Sequence, residues 1–107
     1  RHPLLRPIRI GHIVEVAARL IHTGPQSMHI AIHVRSGSPA TPGLLELTTQ
    51  CMSVFVDLDA ATGRARPVPA LPLVSDEDQR LDAHALDLIR LRASLEALPL
   101  PSSPVPA

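Results

Sequence analysis

Residues 13–35 decide the fold. They read Ile13-Val14-Glu15-Val16-Ala17-Ala18-Arg19-Leu20-Ile21-His22, then Thr23-Gly24-Pro25-Gln26-Ser27, then Met28-His29-Ile30-Ala31-Ile32-His33-Val34-Arg35. Val14, Val16, Ala18 and Leu20 alternate with Glu15, Ala17 and Arg19. Met28, Ile30, Ile32 and Val34 alternate with His29, Ala31, His33 and Arg35. A period of two over this length predicts half-buried strands, and Gly24 and Pro25 predict a loop between them. Closing the hairpin on that loop pairs His22 with Met28, Leu20 with Ile30, Ala18 with Ile32 and Val16 with Val34. Both apolar rows then share one side. On the other side Glu15 meets Arg35, Ala17 meets His33 and Ile21 meets His29. A slip of one residue would set every apolar side chain against a polar one, so the pattern itself specifies the register. An exposed Glu15–Arg35 pair adds only about 0.2 to 1 kcal/mol, so the apolar row is the main stabilising element.

Downstream, residues 36–43 read as a turn by composition, and residues 44–58 read as a third strand. In the latter, Met52, Val54, Val56 and Leu58 alternate with Cys51, Ser53, Phe55 and Asp57. Residues 59–63 form another turn. Pro67, Pro69 and Pro72 hold residues 64–72 extended and without a full hydrogen-bond ladder. Ser75 is a good N-cap, with Asp78 three residues on and Asp76, Glu77 and Asp78 in the first turn. Leu81, Ala85, Leu88, Leu91, Leu95 and Leu98 recur at helical spacing as one stripe. Pro99 is expected to stop that helix, and residues 99–107 read as a Pro-rich, disordered tail. The organisation expected is sheet over 1–74, helix over 75–98 and tail over 99–107. Because of its Pro-rich approach, the helix is expected to be peripheral. The chain starts at Arg1 and goes almost directly into a strand pattern. The expectation is therefore a longer parent whose missing start supplies the cover for the sheet.

Composition limits the function classes. The chain has 107 residues, 10 basic and 10 acidic groups, and a formal net charge of zero. That length suits one domain. A neutral balance argues against a nucleic-acid partner. No apolar run reaches the roughly 18 to 20 residues of a membrane helix. Cys51 is the only cysteine, which excludes an intrachain disulfide and a thiolate metal cage; the sequence shows neither a basic-then-apolar leader nor a lipidation motif, so a reduced, cytoplasmic setting is the default expectation.

No single motif carries chemistry. His29 and His33 share a side of one strand but lie roughly 13 Å apart, too far for one ion, so no metal is expected and the histidines read as surface groups on a solvated face. Cys51 has no basic neighbour in sequence and reads as a small apolar core residue rather than a nucleophile. Asp57 and Asp59 are explained by turn chemistry. Two segments could hold an anion. One is the Thr23, Gly24, Gln26 and Ser27 loop. The other is the extended segment in which Arg64 and Arg66 point to one side.

Four ordered landmarks give the chain a family resemblance. Pro7-Ile8-Arg9-Ile10-Gly11-His12-Ile13-Val14, Thr23-Gly24-Pro25-Gln26-Ser27-Met28, Thr48-Thr49 through Phe55-Val56-Asp57-Leu58-Asp59, and Gly63-Arg64-Ala65-Arg66-Pro67-Val68-Pro69 resemble successive segments of hotdog-fold acyl-CoA thioesterases. The similarity runs from about Pro3 to Arg92. It implies an α+β fold in which an antiparallel hotdog-like sheet, here without its N-terminal strands and central helix, is followed by a C-terminal helix. It also implies hydrolysis of acyl-CoA to free fatty acid and CoA, in dimers or hexamers that need no cofactor and contact no membrane. Thr23, Gly24, Gln26, Ser27, Arg64 and Arg66 fall on the implied CoA-binding surface. His12 stands where the family has Asp, and Pro25-Gln26 replaces a basic-then-Ser pair, which weakens phosphate binding at the loop. The catalytic acid, carried by the central helix in this family, has no counterpart here, so the fragment alone is expected to be inactive. The alternative reading is a non-catalytic hotdog module that binds acyl-CoA or dimerises.

Overall fold

The structure, a computed structural model, describes residues 7–98. Pro99 and the Pro-rich segment lie outside them. Three strands, β1 (Ile13–Thr23), β2 (Met28–Gly37) and β3 (Glu46–Phe55), form an antiparallel sheet in the order β1-β2-β3. A 3-10 turn (Pro42–Leu44) leads into β3, and a 21-residue helix, α1 (Asp76–Glu96), follows the sheet. Residues 64–72 form no strand; Ala65 makes one isolated bridge to Leu58. The third strand is therefore shorter than expected at both ends. Leu44 belongs to the 3-10 turn, and Leu58 lies beyond Phe55 in that bridge.

The hairpin register follows the alternation through Glu15↔Arg35, Val16↔Val34, Ala17↔His33, Ala18↔Ile32 and Leu20↔Ile30. It departs at the loop end. A β-bulge between Leu20 and His22 leaves Ile21 unpaired and sets His22 opposite His29 and Thr23 opposite Met28. The expected His22–Met28 and Ile21–His29 pairs do not form. A bulged residue breaks the strict alternation of faces. Ile21 keeps to the face of Ala17 and Arg19 and packs on Met52 and Ala85, while His22 is turned to that same face and reaches Asp82 of α1 with Nδ1 2.7 Å from Oδ1. A second irregularity, between Val34 and Arg35, adjusts β2 against β3. There the fully buried Thr48 shares a short hydrogen bond with the Ser36 hydroxyl.

The helix starts where the sequence places it. Ser75 Oγ accepts the Asp78 N–H and Asp78 Oδ2 accepts the Ser75 N–H, a reciprocal capping box. These bonds, led by the one from the Ser75 backbone, hold the Asp78 carboxyl below its usual range.

The helix is not peripheral. Register puts Arg19, Ala31 and Met52 on one face of the sheet, and α1 lies against that face. Ile21, Met52 and Ala85 form the buried centre, and Ala31, Leu81, Leu88 and Ile89 pack around it. Polar groups fix the docking. Arg19 bridges Glu77 (3.1 Å) and Asp78 (2.7 Å), His22 meets Asp82, and Arg92 Nη2 donates to the Met52 carbonyl at 2.7 Å. The opposite face carries the Val14, Val16, Ala18 and Leu20 row and stays open, with Val16 63% exposed and Val14 46%. The leucine stripe is buried only along its first half: Leu91, Leu95 and Leu98 are all more than half exposed.

Candidate functional site

The segment after β1 is a tight turn. Gly24 donates its N–H to the Ser27 carbonyl at 3.0 Å, and a Cβ on Gly24 would lie 2.6 Å from Ser27 Oγ. A side chain here would therefore have to push the serine hydroxyl aside. The segment after β3 folds back on itself. Asp59 N–H donates to the Arg64 carbonyl and Gly63 N–H to the Asp59 carbonyl, each at 2.8 Å, while Arg66 N–H donates to the Asp57 carbonyl at 2.7 Å. Gly63 takes a φ of +69° to close this turn, and Asp59 Oδ1 accepts the N–H groups of Ala61 and Thr62.

These two segments, nearly 40 residues apart in sequence, come together. Val68 donates its N–H to the Pro25 carbonyl at 2.9 Å, and Gln26 Nε2 lies 3.4 Å from the Ala65 carbonyl. Thr23 Oγ1 accepts the Leu71 N–H at 2.9 Å. The two segments that carry the six residues singled out from the sequence are therefore joined, with Arg64 and Arg66 flanking Ala65, and the free capacity of the six differs. The Gly24 N–H is engaged internally, and the Thr23 hydroxyl is engaged as an acceptor only. Ser27 Oγ sits 3.1 Å from His29 Nε2. Arg66 is loosely paired with Asp59 at 3.4 Å. Arg64 is exposed and makes no ion pair among the described residues. The donors left to meet an anion here are the two guanidinium groups, the Gln26 amide and the Thr23 O–H.

Sequence reasoning missed a second cluster beside this rim. His29 is buried, not a surface group, and its Nδ1 has no partner within the described structure. Its ring packs edge-on to His22, with centroids 5.1 Å apart. Burial first, then His22 and Arg92, push the His29 imidazole below its usual pKa. The miss follows from the docking of α1, which covers the sheet face that carries His29 and Ala31 and that the sequence read as solvated. Cys51 is half-buried rather than a core residue, with Sγ 4.0 Å from Ser53 Oγ. Asp57 and Asp59 serve the turn, as described. Among the described residues no three His, Cys, Asp or Glu side chains converge on a metal position, and no helix is long and apolar enough to cross a membrane. Between α1 and the sheet lies a cavity of about 410 Å³, walled by Ile21, Ala31, Met52, Leu81 and Leu88 and touched by Arg92.

Comparison with known proteins places this geometry. The sequence profile of the thioesterase superfamily matches residues 4–43. None of the curated proteins compared with the chain matches it. Among solved structures, a hexameric apo acyl-CoA thioesterase superposes with a TM-score of 0.81 at 27% identity, covering 92% of this chain and 62% of that one. An acyl-CoA hydrolase from Bacillus cereus gives 0.78 at 23% identity, with 91% and 58% covered. An acyl-CoA hydrolase from Staphylococcus aureus, in complex with butyryl coenzyme A, coenzyme A and coenzyme A disulfide, gives 0.74 at 22%, with 90% and 57% covered. The chain thus spans about six tenths of the length of the structures it matches, and its α+β fold is hotdog-like.

Proposed function

We propose, from a hotdog-like fold whose first strands match the thioesterase superfamily, that this chain supplies the CoA-binding half of an acyl-CoA thioesterase. The observation that carries the reading is the junction of the 23–27 turn with the 63–68 segment, through Pro25–Val68 and Gln26–Ala65. That junction supports reading Arg64 and Arg66, which flank Ala65, together with Thr23, Gly24, Gln26 and Ser27 as one rim. Guanidinium groups bind phosphate bidentately, so Arg64 and Arg66 hold the CoA phosphates and Gln26 adds a neutral donor. Gly24 shapes the turn, its N–H engaged by the Ser27 carbonyl, Ser27 is paired with His29, and Thr23, whose hydroxyl accepts the Leu71 N–H, keeps its own O–H as a further donor.

In the reaction, water adds to the thioester carbonyl and the C–S bond breaks, giving a free carboxylic acid and the CoA thiol. Cleavage needs the carbonyl polarised and the water deprotonated. We assign neither role within this chain, because Asp59, a carboxylate on the same rim, is held by two backbone N–H groups and by Arg66. The active species is an oligomer, a dimer or hexamer, working in the cytoplasm, and this chain alone binds CoA without turning it over. The engagement of Asp59 also favours a second reading, a non-catalytic module that binds acyl-CoA or dimerises.

Two measurements separate these readings. Calorimetric titration with CoA is expected to show binding that weakens about tenfold in Arg64→Ala/Arg66→Ala and falls as salt rises. Unchanged affinity in that variant would refute the site. A thiol-trapping assay with acyl-CoA is expected to show no turnover by the 107-residue chain and turnover once the parent's remaining segments are present. Turnover by the chain alone would refute the placement of the acid elsewhere. CoA binding without turnover by the parent would establish the non-catalytic reading.

A further inference from the structure

We infer that the cavity between α1 and the sheet is a binding site for a medium-chain aliphatic carboxylate, its chain lying against the sheet and its head group held by Arg92. A volume of about 410 Å³ falls within the roughly 300 to 1,000 Å³ usual for small-molecule sites. Its depth is apolar: Ile21 and Met52 are buried at its floor, and Leu81 and Leu88 form the helix side. Its mouth is marked by the exposed Leu91 and Leu95. Those two leucines are the part of the helical stripe that folding leaves uncovered, and an alkyl chain would complete their burial.

Charge selects the head group. The polar lining consists of Arg92, His33, His84 and Gln50, with no carboxylate among the lining residues. Yet α1 carries Asp76, Glu77, Asp78, Asp82, Asp87 and Glu96. Every one of those acids is turned elsewhere. Arg92 is also fixed in place, since Nη2 donates to the Met52 carbonyl at 2.7 Å. A guanidinium has five N–H donors, so a held Arg92 keeps donors for a carboxylate at little further entropic cost. A neutral or cationic amphiphile would leave those donors unmatched.

The chain contains only two methionines, Met28 and Met52, and only Met52 lines the cavity. In protein labelled with 13C at the methionine methyl groups, octanoate is expected to shift the Met52 signal saturably while Met28 stays in place. Arg92→Gln is expected to weaken octanoate about tenfold, the loss of one charge-assisted contact, with the Met28 signal reporting that the variant is folded. Octanol is expected to bind the parent and Arg92→Gln equally, and both more weakly than octanoate binds the parent. A Met52 signal unmoved by octanoate, equal movement of both methyl groups, or octanoate affinity unchanged in Arg92→Gln would each overturn the inference. So would a Met52 shift on protein dilution alone, accompanied by a change in sedimentation, because that would give the face to a second copy. Methyl shifts read binding whether or not the chain hydrolyses thioesters, so failure here and failure of the thioesterase reading are distinguishable.

Discussion

Ile21→Val tests the helix docking. Ile21 is 3% exposed and touches Met52 and Ala85, so the substitution removes one buried methylene. Transfer of that group is worth about 0.8 kcal/mol, and a partly unfilled void brings the cost to about 1 kcal/mol, inside the 0.5 to 1.5 range for this exchange. Val16→Thr is the matched probe on the opposite face. Val16 is 63% exposed, so exchanging one methyl for a hydroxyl should change stability by about 0.5 kcal/mol or less. In a chain of this size 1 kcal/mol corresponds to a fall of roughly 4 to 8 °C in thermal midpoint. Urea unfolding followed by circular dichroism, at a protein concentration low enough to prevent association, gives both values on one scale. The expected order is Ile21→Val well below the parent and Val16→Thr level with it. If Val16→Thr is the costlier change, α1 covers the other face of the sheet and the docking described above is wrong.

Four further outcomes follow from the same geometry. His29 has a lowered pKa in the folded chain, so the unfolded chain takes up the proton first. Its contribution is complete above the unfolded value of 6.5 and is lost as pH falls through the lower folded value; urea midpoints from pH 8 to 5 should show the decline, and His29→Gln should flatten it. Ser75→Ala removes the acceptor of the Asp78 N–H and should cost about 1 kcal/mol, read as a lower thermal midpoint. Gly24→Ala places a methyl 2.6 Å from Ser27 Oγ, and a perturbed His29 imidazole signal in NMR would report the displaced serine. The bare row on the outer face should bind a hydrophobic dye and promote association. Val16→Thr should reduce dye fluorescence, and a dye-free monomer peak for the parent would refute that expectation.

What the sequence made legible was whatever depends on local periodicity. The Glu15 to Leu20 register follows because each row has a sharp apolar–polar contrast and only one alignment matches both rows. The capping box follows because Ser75 and Asp78 are three residues apart and need no distant partner. The bulge was illegible for the opposite reason. Leu20-Ile21-His22 breaks the alternation with two apolar residues in succession, and a five-residue loop closes as well on either side of that ambiguity. The position of α1 was illegible because an apolar stripe says that a face is buried and not which face of the sheet receives it. Contacts between residues 40 to 60 apart settle that choice: Arg19 with Glu77 and Asp78, His22 with Asp82, and Arg92 with the Met52 carbonyl. The six rim residues were found by motif and composition. Their convergence depends on backbone bonds, Val68 to Pro25 above all, that no spacing encodes.

The bulge at Ile21 links these features. Without it the face bearing Glu15, Ala17, Arg19 and His33 would end in a lone Ile21, with His22 turned to the opposite side among the valines. With it, Ile21 and His22 both meet α1, one as apolar floor and the other as a polar tether to Asp82. The helix then occupies the more polar face, against a buried apolar centre that among the described residues is Ile21, Met52 and Ala85. A docked helix with so small a centre leaves both the 410 Å³ cavity beneath it and the bare valine row behind it. The same inserted residue sets the end of β1 at Thr23, whose hydroxyl ties the turn to Leu71 and so to the arginine-bearing segment. Deleting Ile21 should therefore loosen the helix and the rim in one step. Replacing it with alanine should loosen the helix while the Thr23–Leu71 and Pro25–Val68 bonds stay protected in amide exchange.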